Sequence, residues 1–139
     1  MVRLIVGNKG KGKTTEILAK ANDSIKEATG SVVYLDKSSK HMYDLHRNIR
    51  LIDVSRFPIT NSEQFVGFVC GIISQDHDLE TMYLDSFIKL ASLEGEDLTA
   101  TLSELDQISA KYHVNFVLSV SKDSSELPEI AKDMVLVAL

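Results

Sequence analysis

Apolar residues gather in six short runs: RLIV (3–6), VVYL (32–35), IRLIDV (49–54), TMYLD (81–85), VNFVLSV (114–120) and MVLVAL (134–139). β-Branched and aromatic residues are prominent in them. Several runs are apolar nearly throughout, without alternation. Strands of that kind are covered on both faces, as in a parallel sheet. The intervening segments carry helical spacing. Ile17, Leu18, Ala21, Ile25 and Ala28 share one stripe of a helix expected over 14–28, with Gly30 as its stop. Asn61 and Ser62, followed by Glu63, open a second helix that is rich in apolar residues through Ile73. A short third helix is expected over 86–93. A fourth, over 97–112, carries Leu98, Leu102, Leu105, Ile108 and Tyr112 on one side, and a helical turn over 125–132 leads into the last strand. The polar stretch KSSKHMYDLHRN (37–48) reads as a surface excursion or a short helix. This alternation predicts one α/β domain over 1–139, a three-layer sandwich with a mostly parallel central sheet and right-handed crossovers.

Composition narrows the classes. The chain has 139 residues, 44% apolar and 25% charged, which is ordinary for a globular domain able to bury a real core. Its formal net charge of −5 argues against a general nucleic-acid binder, because phosphate backbones require a basic face. The lone Cys70, within the apolar FVCGII, cannot form an internal disulfide and reads as a buried, inert thiol suited to a reducing cytosol. No export signal opens the chain, and the longest apolar segment (65–73) is too short to span a bilayer, so a cytoplasmic location without membrane contact is expected. Gly67 and Gly71 form a GxxxG spacing, read here as close packing of a core helix on the sheet.

The chemistry concentrates near the amino terminus. GNKGKGKTT (7–15) lies between the first apolar run and the first helical pattern. Gly7, Gly12, Lys13 and Thr14 match G-x-x-x-x-G-K-[ST] without a misfit, in the strand–loop–helix context that motif requires. Glycines let the backbone curl until several N–H groups point inward at a phosphate, and the helix N-terminus adds partial positive charge. Gly7, Asn8, Lys9, Gly10, Lys11, Gly12, Lys13, Thr14 and Thr15 are therefore the expected cofactor-binding residues. Lys13 is expected to reach the β- and γ-phosphates, Thr14 to bind Mg²⁺, and Thr15 to touch the α-phosphate. Lys9 and Lys11 either add charge near the phosphates or are solvated, and solvation is favoured.

On these residues the chain resembles the P-loop NTPase superfamily, specifically its RecA-like, ASCE-type ATPase core. The stretch also looks like the deviant Walker A of the partitioning and septum-site ATPases, roughly K-G-G-x-G-K-T-T. Asn8 stands where that pattern has its first lysine, and Lys9 where it has a glycine. The resemblance implies ATP and Mg²⁺ as cofactors and a strand-ending Asp as second metal ligand. Asp85, in TMYLD, and Asp53, in IRLID, both qualify. Asp85 is favoured, because its longer spacing from the loop suits layouts in which another strand separates the two motif strands. GTPase-like layouts need D-x-x-G, whereas Asp53 is followed by Val54, Ser55 and Arg56, and no N-K-x-D is present. Each Asp has a competing reading as the cap of the following turn. Asp36 also ends a strand, which would bring three carboxylates to the edge where open α/β sheets bind ligands.

The hydrolytic ATPases that the chain resembles usually place a Glu directly after the metal-binding Asp, and here that place is Ser86. Glu80 should point to the opposite end, and Glu94, Glu96 and Asp97 lie in a loop that nothing in the sequence anchors. Ser119 or Ser121 occupies the place of a γ-phosphate sensor, against the simpler reading of a serine that caps a turn. Arg3, Arg47, Arg50 and Arg56 are the only arginines, too few for the lid of a nucleoside monophosphate kinase. Arg47, Arg50 or Arg56 as a charge stabiliser is the bolder reading, surface placement the plainer. His41, His46, His77 and His113 have no zinc-ligand spacing.

The sequence thus predicts an ATP-binding, Mg-dependent ATPase with Lys13 and Asp85 as catalytic residues and weak or partner-dependent hydrolysis. Its small size points to a homo-oligomer or a protein partner. The alternatives are a thymidine-kinase-like phosphotransferase acting on a nucleoside or other small molecule, with Asp36, 37–48 and 94–97 around the acceptor, and a non-enzymatic nucleotide sensor.

Overall fold

A computed structural model describes all 139 residues. Each apolar run is a strand: β1 (Val2–Val6), β2 (Ser31–Asp36), β3 (Ile49–Asp53), β4 (Leu79–Leu84), β5 (Asn115–Val120) and β6 (Val135–Ala138). They form one sheet of order β3-β2-β4-β5-β1-β6, parallel throughout rather than mostly so. The order accounts for the unbroken apolar runs. On the interior strand β1, Leu4 and Val6 enter a core on one face while Ile5 enters another on the opposite face. β2 divides likewise, with Val33 and Leu35 on one side and Val32 and Tyr34 on the other.

Helices cover both faces, which completes a three-layer α/β sandwich. α1 (Lys13–Ser24) lies on the face with the smaller cluster, where Ile17 and Ala21 meet Ile5, Tyr34, Tyr83 and Val117. The opposite face holds the larger cluster, to which α2 (Ser62–Ser74), α3 (Phe87–Leu90), α4 (Thr99–Tyr112) and α5 (Glu129–Lys132) all contribute. Each fully buried Leu, Ile, Val or Phe there contributes roughly 1.5–3 kcal/mol. The Asn61 side chain caps α2 by accepting from the Gln64 N–H at 2.8 Å. Just ahead of α4, whose N-cap Leu98 offers no capping side chain, Asp97 accepts from the Thr99 N–H at 2.7 Å. The 37–48 excursion holds one 3-10 turn, Met42–Asp44. No helix is long and apolar enough to cross a membrane.

Glycine placement corrects two expectations. α1 ends at Ser24, well before Gly30, and Gly30 is not left-handed. Glycine is needed there for a different reason: a Cβ on Gly30 would lie 2.0 Å from the Asp78 carbonyl oxygen. That carbonyl accepts from the Ser31 N–H at 2.7 Å, so the backbone cannot retreat without losing the start of β2. Gly67 and Gly71 are not at a close helix–sheet contact. Both lie on the exposed side of α2, and a Cβ on either meets nothing within 4 Å.

Two substitutions should therefore act in opposite directions. Gly67→Ala is expected to raise stability by about 0.5–1 kcal/mol, the helix-propensity difference. Gly30→Ala is expected to lower it by about 1–3 kcal/mol through overpacking. Urea unfolding of each variant measures both, and a neutral Gly30→Ala would refute the close-approach explanation.

Candidate functional site

Because every strand runs the same way, the carboxyl ends share one edge. Asp36 pairs in register with Asp53, and the Asp85 N–H donates to the Leu35 carbonyl at 3.0 Å. The glycine-rich turn leaves this same edge from β1. Its Gly7 N–H donates to Val120 and its Lys11 N–H to the Asn8 carbonyl. Gly10 and Gly12 adopt φ of 88° and 89°, a region that L-residues rarely enter, so both glycines are conformationally required. Gly12 directly precedes α1, and no side chain caps the first turn of that helix. Its leading N–H groups, which have no partners within the helix, stand available to an anion.

Lys13 is buried, and its Nζ donates to the Asn8 carbonyl at 3.0 Å. Burial lowers its pKa, and the Asp85 carboxylate opposes that shift. The ammonium is folded back onto its own loop, a contact that an incoming phosphate can replace.

Asp85 is buried and held by hydroxyls from three elements. Only 2% exposed, it accepts from Ser119 Oγ at 2.6 Å and from Tyr34 Oη at 3.0 Å, while Thr14 Oγ1 lies 3.4 Å away. Ser119 in turn accepts from the Ser86 N–H at 2.7 Å. Burial, then the charge of Asp85, pushes the Tyr34 phenol far above its ordinary pKa, so it stays a donor. Ser86, directly after Asp85, holds φ 60° and ψ 51°, a left-handed conformation that costs a non-glycine residue about 1 kcal/mol or more. β5 lies between β1 and β4, so Asp85 faces the glycine loop across one intervening strand.

Asp53 is placed differently. It ends the edge strand β3 and accepts from Ser55 N–H and Oγ at 3.0 and 2.5 Å, capping the 3-10 turn Val54–Arg56. The capping reading holds for Asp53, and of the two acidic candidates only Asp85 reaches the loop. Asp36 is 2% exposed; its Oδ1 accepts from the Lys37 N–H at 2.7 Å, whereas its Oδ2 has no partner. Burial raises its pKa, the Lys37 hydrogen bond opposes this, and the nearby Asp85 charge adds to it.

A cavity of about 520 Å³ joins these groups. From the loop it is lined by Lys9, Gly10, Gly12, Lys13, Thr14 and Thr15. The strand ends contribute Asp85, Ser86, Ser119 and Ser121, and the segments beyond β2 and β4 contribute Lys37, Ile88, Lys89 and Glu94. Gly7, Asn8 and Lys11, also expected to contact the ligand, do not line it. Asn8 acts through its carbonyl, which holds Lys13 and Lys11. Gly7 backs onto Leu139, whose Cβ would lie 3.1 Å from a Cβ placed there. Of the two serines proposed as phosphate sensors, Ser119 is committed to Asp85 and Ser86, which leaves Ser121 on the wall. Of the loop acids, Glu94 reaches the cavity, and Asp97 is tied to Thr99. Glu80 lies at the opposite end of the sheet, accepting from the Thr29 and Gly30 N–H groups.

No cluster of three or more His, Cys, Asp or Glu side chains able to hold a metal is present. Two oxygen groups at the cavity, the Thr14 hydroxyl and the Asp85 carboxylate, stand 3.4 Å apart, a pairing that suits a hard cation. That sparse set fits Mg²⁺, which keeps several waters and takes further oxygens from a substrate phosphate. Sequence reasoning missed Tyr34 and Lys89, and reached Lys37 only as part of the 37–48 stretch placed around an acceptor. Tyr34 left one signal, a phenol inside a run otherwise suited to burial, which needs a buried acceptor. The chain matches no family model and no curated protein sequence.

The raised pKa of Asp36 has a measurable consequence. Its carboxyl binds a proton more tightly in the folded chain than in the unfolded one. Its stabilising contribution is therefore complete below the ordinary carboxylate range and is lost as pH rises through the folded value. Asp36→Asn keeps an acceptor for the Lys37 N–H and removes the ionisation. The variant should melt above the parent at pH 7, and the gap should close as pH falls to about 4. Thermal melts across that range check this; a gap independent of pH would mean that Asp36 titrates normally.

Proposed function

We propose that this chain binds a nucleoside triphosphate as its Mg²⁺ complex, with ATP favoured, and is a Mg-dependent ATPase whose hydrolysis is weak or depends on a partner. One observation carries the reading: Thr14 Oγ1 and Asp85 Oδ1 stand 3.4 Å apart in the same cavity as buried Lys13 and a glycine turn that leads into an uncapped helix start. In this reading the loop amides and the first turn of α1 grip the β- and γ-phosphates. Lys13 exchanges the Asn8 carbonyl for phosphate oxygens. Thr14 and Asp85 hold the metal, whose role is to offset charge on the phosphate oxygens. Asp85 is oriented by hydroxyl donors, Tyr34 and Ser119, with Thr14 beside it.

Hydrolysis transfers the γ-phosphoryl group to water, which must give up a proton. The residue after Asp85 is Ser86, and the only other acid lining the cavity is Glu94, on a loop beyond α3. Slow turnover follows, with a homo-oligomeric or protein partner supplying what is missing. A cytoplasmic location suits both nucleotide and partner. A second reading, phosphoryl transfer to a small-molecule hydroxyl, is favoured by an adjoining cavity of about 250 Å³ that shares Lys37 and Lys89 and adds Ser55, Phe57 and Ile59.

Thermal-shift measurement tests the first step. At a hundredfold excess over its dissociation constant, Mg-ATP should stabilise the parent by about 2.7 kcal/mol. Lys13→Ala should lose that stabilisation and any turnover. A parent that melts at one temperature with and without ATP, GTP or ADP would overturn the proposal. Phosphate transfer to an added alcohol or nucleoside, with little release to water, would select the second reading.

A further inference from the structure

We infer that Lys37 and Lys89 form a second anion position facing the glycine loop, which takes the terminal phosphate of a bound triphosphate and makes the cavity distinguish triphosphate from diphosphate. The inference rests on the nucleotide reading above and extends it to residues outside the recognised motif.

Charge distribution is the first ground. The chain is net negative, yet the cavity is lined by four lysines, Lys9, Lys13, Lys37 and Lys89, against two carboxylates, Asp85 and Glu94. Asp85 is already engaged by Ser119 and Tyr34, with Thr14 beside it, and Lys13 already has the Asn8 carbonyl. Lys37 and Lys89 have neither. The ion pairs of the molecule use Lys26, His41, Arg50 and Lys132, and the only polar contact near Lys37 is made by its backbone N–H. An anion that enters the cavity therefore meets an excess of lysine over carboxylate.

Anchoring is the second ground. Lys37 follows the buried Asp36 at the end of β2, and Lys89 sits between buried Phe87 and Leu90 in α3, just beyond β4. β2 and β4 are paired neighbours, so Lys37, directly after β2, and Lys89, in the short helix that follows β4, come from adjacent parts of the sheet edge. Both also line the adjoining cavity, so each of these exposed side chains borders the two spaces. No arginine lines either cavity, and Arg50 is committed to Asp76 at 2.8 Å. The charge stabiliser sought among the arginines is thus this lysine pair.

Calorimetry on the full chain tests the assignment, with Mg-ADP and a Mg-bound, non-hydrolysable triphosphate analogue as probes. The parent should bind the triphosphate about tenfold or more tighter than ADP. In Lys37→Met/Lys89→Met, which keeps the apolar stems, that ratio should fall to about one while ADP affinity stays within about threefold of the parent. A double variant that keeps the parental ratio overturns the inference, as does a parent that shows no preference. Should the double variant fold poorly, Lys37→Gln and Lys89→Gln tested singly must each reduce the ratio. A parent that binds neither probe would refute the nucleotide reading itself, an outcome distinct from an unchanged ratio.

Discussion

The candidate site is organised around one buried carboxylate. A carboxyl group removed from water, as Asp85 is, is costly unless its oxygens are hydrogen-bonded. The fold meets that demand with hydroxyls from separate elements. Tyr34 reaches one oxygen from β2, Ser119 reaches the other from β5, and Thr14 approaches from the start of α1. These groups converge only if β2 and β5 flank β4 and if β1, which launches the loop and α1, lies on the far side of β5. That is the strand order observed. The carboxylate and the topology therefore impose the same arrangement, and losing either would leave the other unsatisfied.

Holding Asp85 this way has local consequences. Ser86 must accept a left-handed conformation so that its N–H can turn back to Ser119, and α3 begins immediately afterward. Asp36, at the neighbouring strand end, finds fewer donors and keeps an orphaned Oδ2. Two adjacent carboxylates are thus treated unequally, Asp85 hydrogen-bonded at both oxygens and Asp36 pressed toward its neutral form. At the opposite end of the sheet, by contrast, the Glu80 carboxylate takes up two backbone N–H groups.

The strands were legible because a sheet covered on both faces demands uninterrupted apolar runs, and all six appear where the pattern placed them. The loop was legible because Gly10 and Gly12 occupy a backbone region that other residues rarely enter. What hydropathy alone does not carry is lateral order. VVYL and TMYLD read alike, and nothing in them says that they pair. Asp85 was therefore separable from Asp53 only by a spacing argument, and its contacts with Tyr34 and Ser119 could not be foreseen. The glycines of α2 misled for a related reason: GxxxG spacing marks a face of the helix but not what lies against it. Gly30 misled because close approach by a distant carbonyl and a left-handed helix stop both call for the same residue.

The smaller core extends the same logic to α1. Tyr34 and Tyr83 stack beneath that helix with ring centroids 6.3 Å apart and planes inclined by 22°. Their hydroxyls serve its two ends. Tyr34 holds Asp85, which stands beside Thr14 in the first turn, while Tyr83 donates to Ser24 Oγ at 2.8 Å in the last turn. Between them, Ile17 and Ala21 press onto the ring pair and Ile5. A helix packed along its middle and tied near both ends cannot slide or tilt independently of the sheet, so its leading N–H groups are aimed before any ligand arrives. Preorganisation of that kind reduces the ordering cost of binding. It also explains why two tyrosines, rather than two phenylalanines of similar shape, sit at the centre of an otherwise apolar layer.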